Sequence, residues 1–394
     1  MKKQLNIGLF GFGCVGGGLY EVLNRSNLLN ASIKTIVVKD KNKKRQLPNE
    51  MFSYDRNEII EDPEINTVVE LINDSEAAYE IVTSSLKKGK NVVSANKKLI
   101  AEHYNELITL AKANNVSFLY EAAVAGSIPI IRNLEEYYNN DSLSSVQGIV
   151  NGTTNFILTK ANDGIGYEEA LKIAQDQGFA EADPTLDVDG FDAKYKLVIL
   201  IKHAFGLIVN EENILNYGIR HIKNEDVQFA KEKSYRIKLL ARAQKFGDKI
   251  IGFVAPHFVK NDHPAFEVNN EFNAVIVEAA FSDRQLFMGK GAGSFPTASA
   301  VLSDISALLY DYNYEYRKTE IVNGSFSSDF NLRVYVGSSN ERLLNELNFQ
   351  QIETYYKSKN YAYQIGWMNF HEIQSLNLNQ NPNLSLIVFP EEIS

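Results

Sequence analysis

The chain has 394 residues, 44% hydrophobic and 23% charged, an ordinary globular balance that excludes wholesale disorder and fibrous repeats. A net charge of −9 opposes general attraction to nucleic acid or anionic membrane, and a single cysteine, Cys14, excludes an internal disulfide or a cysteine-based metal site. No stretch approaches the ~20 apolar residues that span a bilayer, so a small-molecule partner and a reducing cytoplasm are expected.

Leu5 to Phe10 is a short apolar run bounded by glycine, the pattern of a buried parallel strand. Helical spacing follows through Leu19, Tyr20, Val22 and Leu23, then a second strand from Ile33 to Val38. Strand and helix keep alternating: Thr67 to Ile72, Ala77 to Lys88, Asn91 to Ser94, Glu102 to Ala113 and Ser117 to Tyr120. This alternation predicts an α/β fold with a doubly wound parallel sheet of the Rossmann type.

Between the first strand and the first helix, Gly11-Phe12-Gly13-Cys14-Val15-Gly16 matches G-x-G-x-x-G. The glycines permit a tight turn, close approach of a pyrophosphate and close helix packing, while the helix amides face the phosphates. A nicotinamide dinucleotide is therefore expected there. An NAD-specific site places an acid after the second strand, but Val38 is followed by Lys39, with Lys41, Lys43, Lys44 and Arg45 close behind. That cluster favours NADP(H), whose ribose phosphate it can neutralise, over NAD(H).

Past Pro129 the pattern becomes mixed, with helices from Tyr167 to Asp176 and Ala193 to Ala204 and strands from Ile250 to Val254 and Ala274 to Val277. Small residues followed by a helix occupy Gly291 to Tyr310. The final stretch reads as strand Leu332 to Val336, helix Glu341 to Leu347, strands around Tyr355 and Tyr363, a helical piece near His371 and strand Leu384 to Phe389. That order is β-α-β-β-α-β, the split pattern of ferredoxin-like (ACT-like) modules. The histidines show no metal-ligand spacing.

The runs VSANKK (Val93 to Lys98), EAAVAGSIPI (Glu121 to Ile130), VNGTTNFIL (Val150 to Leu158), EADPTLDVDGFDAKYK (Glu181 to Lys196) and GKGAGSFPTASAVLSD (Gly289 to Asp304) together resemble homoserine dehydrogenase, from about Leu5 to Tyr310. The resemblance implies reversible reduction of L-aspartate 4-semialdehyde to L-homoserine with NADPH, on the way to threonine, methionine and isoleucine. It implies a dinucleotide-binding domain over 1–130 and a catalytic and dimerisation domain over 131–312, with 289–312 packing back on the first. A regulatory module over 313–394 and a homodimer or higher homo-oligomer are expected as well. No aspartate kinase portion precedes Met1, so a monofunctional enzyme is expected.

Reducing an aldehyde requires a proton for the growing alkoxide. Asp192 and Lys196 are four apart, which on a helix is also the spacing of an ordinary surface ion pair. By resemblance Lys196 donates the proton, Asp192 orients it, and Lys97 stands near the nicotinamide and the reacting oxygen. Glu181 is expected on the substrate amino group, with Asp187, Gly152 and Thr153 also contacting substrate. Asn73 and Gly293 are expected on the cofactor. The amide and hydroxyl groups of Asn151, Thr153, Thr154 and Asn155 suit a helix cap and a ligand contact alike. The family's sodium site maps to Glu121, Val124, Gly126 and Ile128, through loop oxygens suited to a hard cation. Where the family commonly has a glycine pair, this chain has Asn73-Asp74, and the added carboxylate opposes a cofactor phosphate. Aspartate-semialdehyde dehydrogenase needs a thiolate nucleophile, which the lone Cys14 in the glycine turn cannot supply. A catalytically silent NADP(H) sensor is the other reading, opposed by retention of Lys97, Asp192 and Lys196.

Overall fold

The computed structural model describes residues 3–25, 29–45, 47–321 and 324–393. They form two compact units, Met1–Asn139 with Gly289–Glu320, and Asn140–Met288 with Ile321–Ser394. The division is thus into two rather than three. Residues after 313 form no unit of their own: those up to Glu320 go with the first unit, and the strands beyond hydrogen-bond into the sheet of the second.

The first unit holds six parallel strands in the order β3-β2-β1-β4-β5-β6. They are β1 Leu5–Phe10, β2 Ala31–Val37, β3 Phe52–Ser53, β4 Thr67–Glu70, β5 Asn91–Ser94 and β6 Phe118–Leu119. Leu5, Ile7, Leu9, Val68, Val69, Val92 and Val93 are fully buried, as a sheet covered on both faces requires. The strand order reverses between β1 and β4, and such a reversal opens a ligand crevice at the carboxyl ends. One helix starts earlier than its sequence periodicity suggests, at Lys97 rather than Glu102, and runs to Ala113. Asn96 caps it by accepting from Leu99 N at 3.1 Å, and non-helical angles at His103 (φ −117°, ψ 22°) separate this first turn from the regular body.

The second unit is built on an eleven-stranded sheet. Its longer strands are β7 Leu143–Ile149, β8 Arg236–Phe246, β9 Lys249–Val259, β10 Phe272–Ala279, β11 Asp283–Lys290, β12 Asn331–Ser338, β13 Gln351–Lys357, β14 Ala362–Asn369 and β15 Leu384–Ile393. Their order is β11-β10-β7-β8-β9-β15-β12-β14-β13. Strands β7, β8 and β11 have no counterpart in the elements read from sequence.

Strands β12 to β15, with helices Glu341–Asn345 and Phe370–Ser375, follow the expected β-α-β-β-α-β order. In space the fourth strand lies beside the first, then the third, then the second, which is the ferredoxin-like arrangement. This module shares its core with the rest of the unit: Val334, Val336, Met368, Phe370 and Leu386 cluster with Phe253 and Ala255 of β9. The edge of β9 opposite β8 is closed by three short parallel patches. Ser325–Phe326 pairs with Lys249–Ile250, Leu215–Asn216 with Phe253–Val254, and Val388 with His257.

Candidate active site

In the first unit the glycine turn joins β1 to the helix Cys14–Arg25. Gly11 has φ +93°, and a Cβ there would lie 2.5 Å from the Leu71 carbonyl oxygen. At Gly16 a Cβ would lie 2.3 Å from the Gly11 carbonyl oxygen. Both positions exclude any larger residue, whereas a Cβ on Gly13 would meet nothing within 4 Å. The turn is held rigid behind and open in front, a shape that accepts a pyrophosphate against helix amides. Phe12 packs edge-on against Phe52 and Tyr20, Cys14 is exposed, and Val15 is half-buried. Gly18 lets the helix Ser294–Leu308 approach closely, and Ser294 Oγ donates to the Cys14 carbonyl at 2.8 Å. Gly293, with φ +121°, is the N-cap residue of that second helix.

Lys39 follows β2 and is almost wholly exposed, its Nζ 3.9 Å from Asp74 Oδ2. Asp74 also caps the helix Ser75–Lys87, Oδ1 accepting from Ala77 N at 3.1 Å. The carboxylate that departs from the family pattern is thus shared between a helix cap and Lys39, beside exposed Asn73.

Behind these loops sits Glu70, fully buried at the end of β4. Its Oε1 accepts from Ile72 N at 2.7 Å, and its Oε2 accepts from Ser94 Oγ at 2.6 Å. Ser94 Oγ accepts in turn from Asn96 N at 3.1 Å, and Asn96 Nδ2 donates to the Ile72 carbonyl at 3.2 Å. This ring ties the loop bearing Asn73 to the one bearing half-buried Lys97. Burial pushes the Glu70 carboxyl up to about 7. Sequence reading passed over it, although an acid ending the apolar run Thr67-Val68-Val69 was the available signal.

The loop from Glu121 to Ile128 belongs to the same unit. The Glu121 carboxylate caps the helix Ile130–Glu135, accepting from Ile131 N at 2.8 Å and Arg132 N at 2.9 Å. Glu121 N donates to Asp304 Oδ2, and Arg132 pairs with Asp304 at 3.1 Å. Asp304 is fully buried and is pushed up to about 7, by desolvation first and by the charge of Glu121 second. Ala122, Val124 and Ile128 are buried, and Gly126 turns the chain with φ +56°. Among the described residues no cluster of His, Cys, Asp or Glu could hold a metal.

The second unit brings together four of the expected residues. Asn151 caps the helix Gly152–Asn162 through Thr154 N, so its side-chain amide is free to donate elsewhere. That amide bridges two carboxylates, Asp187 Oδ1 at 2.7 Å and Asp192 Oδ2 at 2.9 Å. Lys196 Nζ donates to the same Asp192 oxygen at 2.7 Å and to the Val150 carbonyl at 2.6 Å. Asp192 and Lys196 are 6% and 8% exposed, so the pair is buried rather than the surface pair its spacing also allowed. Asp192 sits in the first turn of the helix Phe191–Phe205, where the helix dipole favours an anion. Half-buried Thr153 donates through Oγ1 to the Phe179 carbonyl at 2.6 Å, next to half-buried Gly152. Glu181 stays outside this network, exposed on the preceding turn. Arg220, which sequence reading missed, grips Asp189 through Nε at 2.7 Å and Nη2 at 3.0 Å. No local motif marks it.

The arrangement offers a dinucleotide turn in one unit and a buried, oriented ammonium in the other, the elements of a carbonyl reductase. Comparison with known proteins names the reaction. A homoserine dehydrogenase family model matches residues 129–306, and one for the homoserine dehydrogenase NAD binding domain matches residues 11–121. The homoserine dehydrogenase of Bacillus subtilis is 42% identical over 317 residues, covering 78% of this chain and 73% of the relative. A homoserine dehydrogenase structure from Thiobacillus denitrificans superposes with TM-score 0.86 at 31% identity, over 98% of each chain. A hyperthermophilic archaeal homoserine dehydrogenase in complex with NADPH superposes with TM-score 0.69 at 29% identity, covering 79% of this chain and 100% of that one. The chain belongs to the homoserine dehydrogenase family and is an NAD(P)-dependent oxidoreductase that reversibly reduces L-aspartate 4-semialdehyde to L-homoserine, a step toward threonine, methionine and isoleucine.

Proposed function

We propose that Lys196 is the proton donor to the carbonyl oxygen of the semialdehyde and that Asp192 orients it. The carrying observation is the fixed ammonium, held at 2.7 Å by Asp192 and 2.6 Å by the Val150 carbonyl. A bound reduced nicotinamide supplies the hydride. Lys196 then meets the charge that develops on oxygen, and a pre-oriented cation there needs no rearrangement as the charge grows. Asn151 keeps Asp192 in register with Asp187. Lys97 is assigned to the nicotinamide and the reacting oxygen, Glu181 to the substrate ammonium, and Asp187, Gly152 and Thr153 to the rest of the substrate. In the oxidative direction Lys196 takes back the proton.

The cofactor is NADP(H), held on Gly11 to Gly16 with Asn73 and Gly293 along its edge and Lys39 on the ribose phosphate. Support comes from the exposed ammonium of Lys39 and from the NADPH carried by the archaeal relative. Asp74, by pairing with Lys39, keeps NAD(H) usable. The carbonyls of Glu121, Val124, Gly126 and Ile128 are assigned to a sodium ion, for which an oxygen-only set is suited. The enzyme works in the cytoplasm as a homodimer or larger homo-oligomer, and β12 to β15 form a regulatory module.

The test is Lys196→Ala. It lowers kcat about a thousand-fold, within the range of lost general-acid catalysis, and leaves the NADPH dissociation constant nearly unchanged. Equal loss of turnover and cofactor affinity overturns the assignment.

A further inference from the structure

The segment that delivers Asp187 and Asp192 to Lys196 is gripped from two directions. From residues 216–220, Ile219 N donates to the Val188 carbonyl at 2.7 Å, and Asn216 Nδ2 donates to the Asp189 carbonyl at 2.8 Å. Gly218 lies so close that a Cβ on it would sit 1.8 Å from the Val188 carbonyl oxygen. Arg220 holds the Asp189 carboxylate and reaches Thr185 Oγ1 at 3.1 Å. Immediately after Asp189, Gly190 turns with φ +83° and the helix bearing Asp192 and Lys196 begins.

The second grip comes from the ferredoxin-like module. On its turn Leu378–Gln380, the Asn379 side chain donates to the Asn216 carbonyl at 2.8 Å and to the Asp189 carbonyl at 3.3 Å. Its Oδ1 accepts from Gly218 N at 3.2 Å, and its own carbonyl meets His221 Nε2 at 3.0 Å. One amide side chain therefore satisfies the Asp189 carbonyl on the strap that carries the carboxylates and two backbone groups, at Asn216 and Gly218, on the segment that grips it. An oxygen on the end of a strap held by the backbone moves when the strap moves, and misplacement by about 1 Å can cost about a hundred-fold in rate.

We propose that Asn379 is a positioning residue of the reductase, through which the C-terminal module sets the placement of Asp187 and Asp192 and so the aim of Lys196. This rests on the proposed role of Lys196. The experiment measures steady-state kinetics, cofactor binding and thermal unfolding on the full chain. Asn379→Leu, similar in size but without hydrogen bonds, lowers kcat about ten-fold and leaves the NADPH dissociation constant within about two-fold. Asn379→Gln restores most of that loss. Asn348→Ala, which removes an exposed bond to Glu372 in the same module, leaves kcat at the parent value. Should Asn379→Leu not fold, Asn216→Leu removes the other amide from the Asp189 carbonyl and gives the same split. A folded Asn379→Leu, or Asn216→Leu in its place, with parental kcat overturns the proposal, as does an equal loss in Asn348→Ala. Lys196→Ala is assayed alongside. If it is inactive while Asn379→Leu is fully active, only the positioning role falls. If Lys196→Ala is itself active, the proton-donor reading falls.

Discussion

The two halves of this enzyme's chemistry are made from different materials. The cofactor turn is backbone, with Gly11 and Gly16 excluding any Cβ and Gly13 facing open space. The proposed proton-donor site is chiefly side chains, with Asn151, Asp187, Asp192 and Lys196 linked by hydrogen bonds of 2.7 to 2.9 Å. A backbone site is broken by volume and is indifferent to charge. A buried charge network responds to the loss of a single donor, because the partner left behind keeps its desolvation penalty.

That contrast is sharpest at Lys196, where Ala removes the largest share of turnover. Next comes Asn151→Leu, which removes one donor from each of two carboxylates, Asp187 and Asp192. It lowers kcat about ten- to a hundred-fold with little change in NADPH affinity, measured by fluorescence titration. Gly11→Ala does the reverse, through strain at φ +93° and the 2.5 Å approach to Leu71. It costs at least about 2 kcal/mol of stability in the cofactor unit and weakens NADPH binding, checked by chemical unfolding and titration. If Gly11→Ala instead cut kcat and spared cofactor binding, the division of labour would fail.

Glu70 carries a pH signature. A carboxyl raised in the folded state to about 7 from the ordinary 4.5 stabilises the fold fully below about 4.5 and progressively less as pH rises to about 7. The whole window is worth up to about 3 kcal/mol. Glu70→Gln, which mimics the protonated acid, flattens the decline of melting temperature between about pH 4.5 and about pH 7, the interval bracketed by those two values. A parallel decline in parent and variant would assign the titration elsewhere, with Asp304 the next candidate. The smallest effect is expected for Asp74→Ser. A serine can still cap the helix at Ala77, and removing the carboxylate beside Lys39 raises the preference for NADPH over NADH by about three-fold in kcat/KM.

The cofactor half was the more legible in sequence, since its determinants are local. Three glycines at fixed spacing, apolar runs and the alternation of strand and helix carry the whole argument from Leu5 to Tyr120. Asp192 and Lys196 were visible as a pair, but spacing alone could not tell a buried network from a surface contact. What decides it is Asn151, 41 residues from Asp192, and the Val150 carbonyl, 46 residues from Lys196. Arg220 escaped for the same reason, as its partner Asp189, 31 residues away, is set by chain return rather than by neighbours. The C-terminal strands were readable as β-α-β-β-α-β. That their sheet is continuous with β9 was not, because a parallel contact as short as Val388 with His257 leaves no trace in periodicity.

The three patches along the edge of β9 bear on solubility. Two of them, Ser325–Phe326 and Val388, lie beyond residue 313, so a chain shortened to its first 312 residues would strip most of the cover from an eleven-residue strand. A bare edge of that length recruits strands from other molecules. A shortened chain is therefore expected to aggregate, whatever becomes of its regulation, and a charged or proline residue placed on the exposed side of β9 would be needed to keep it in solution.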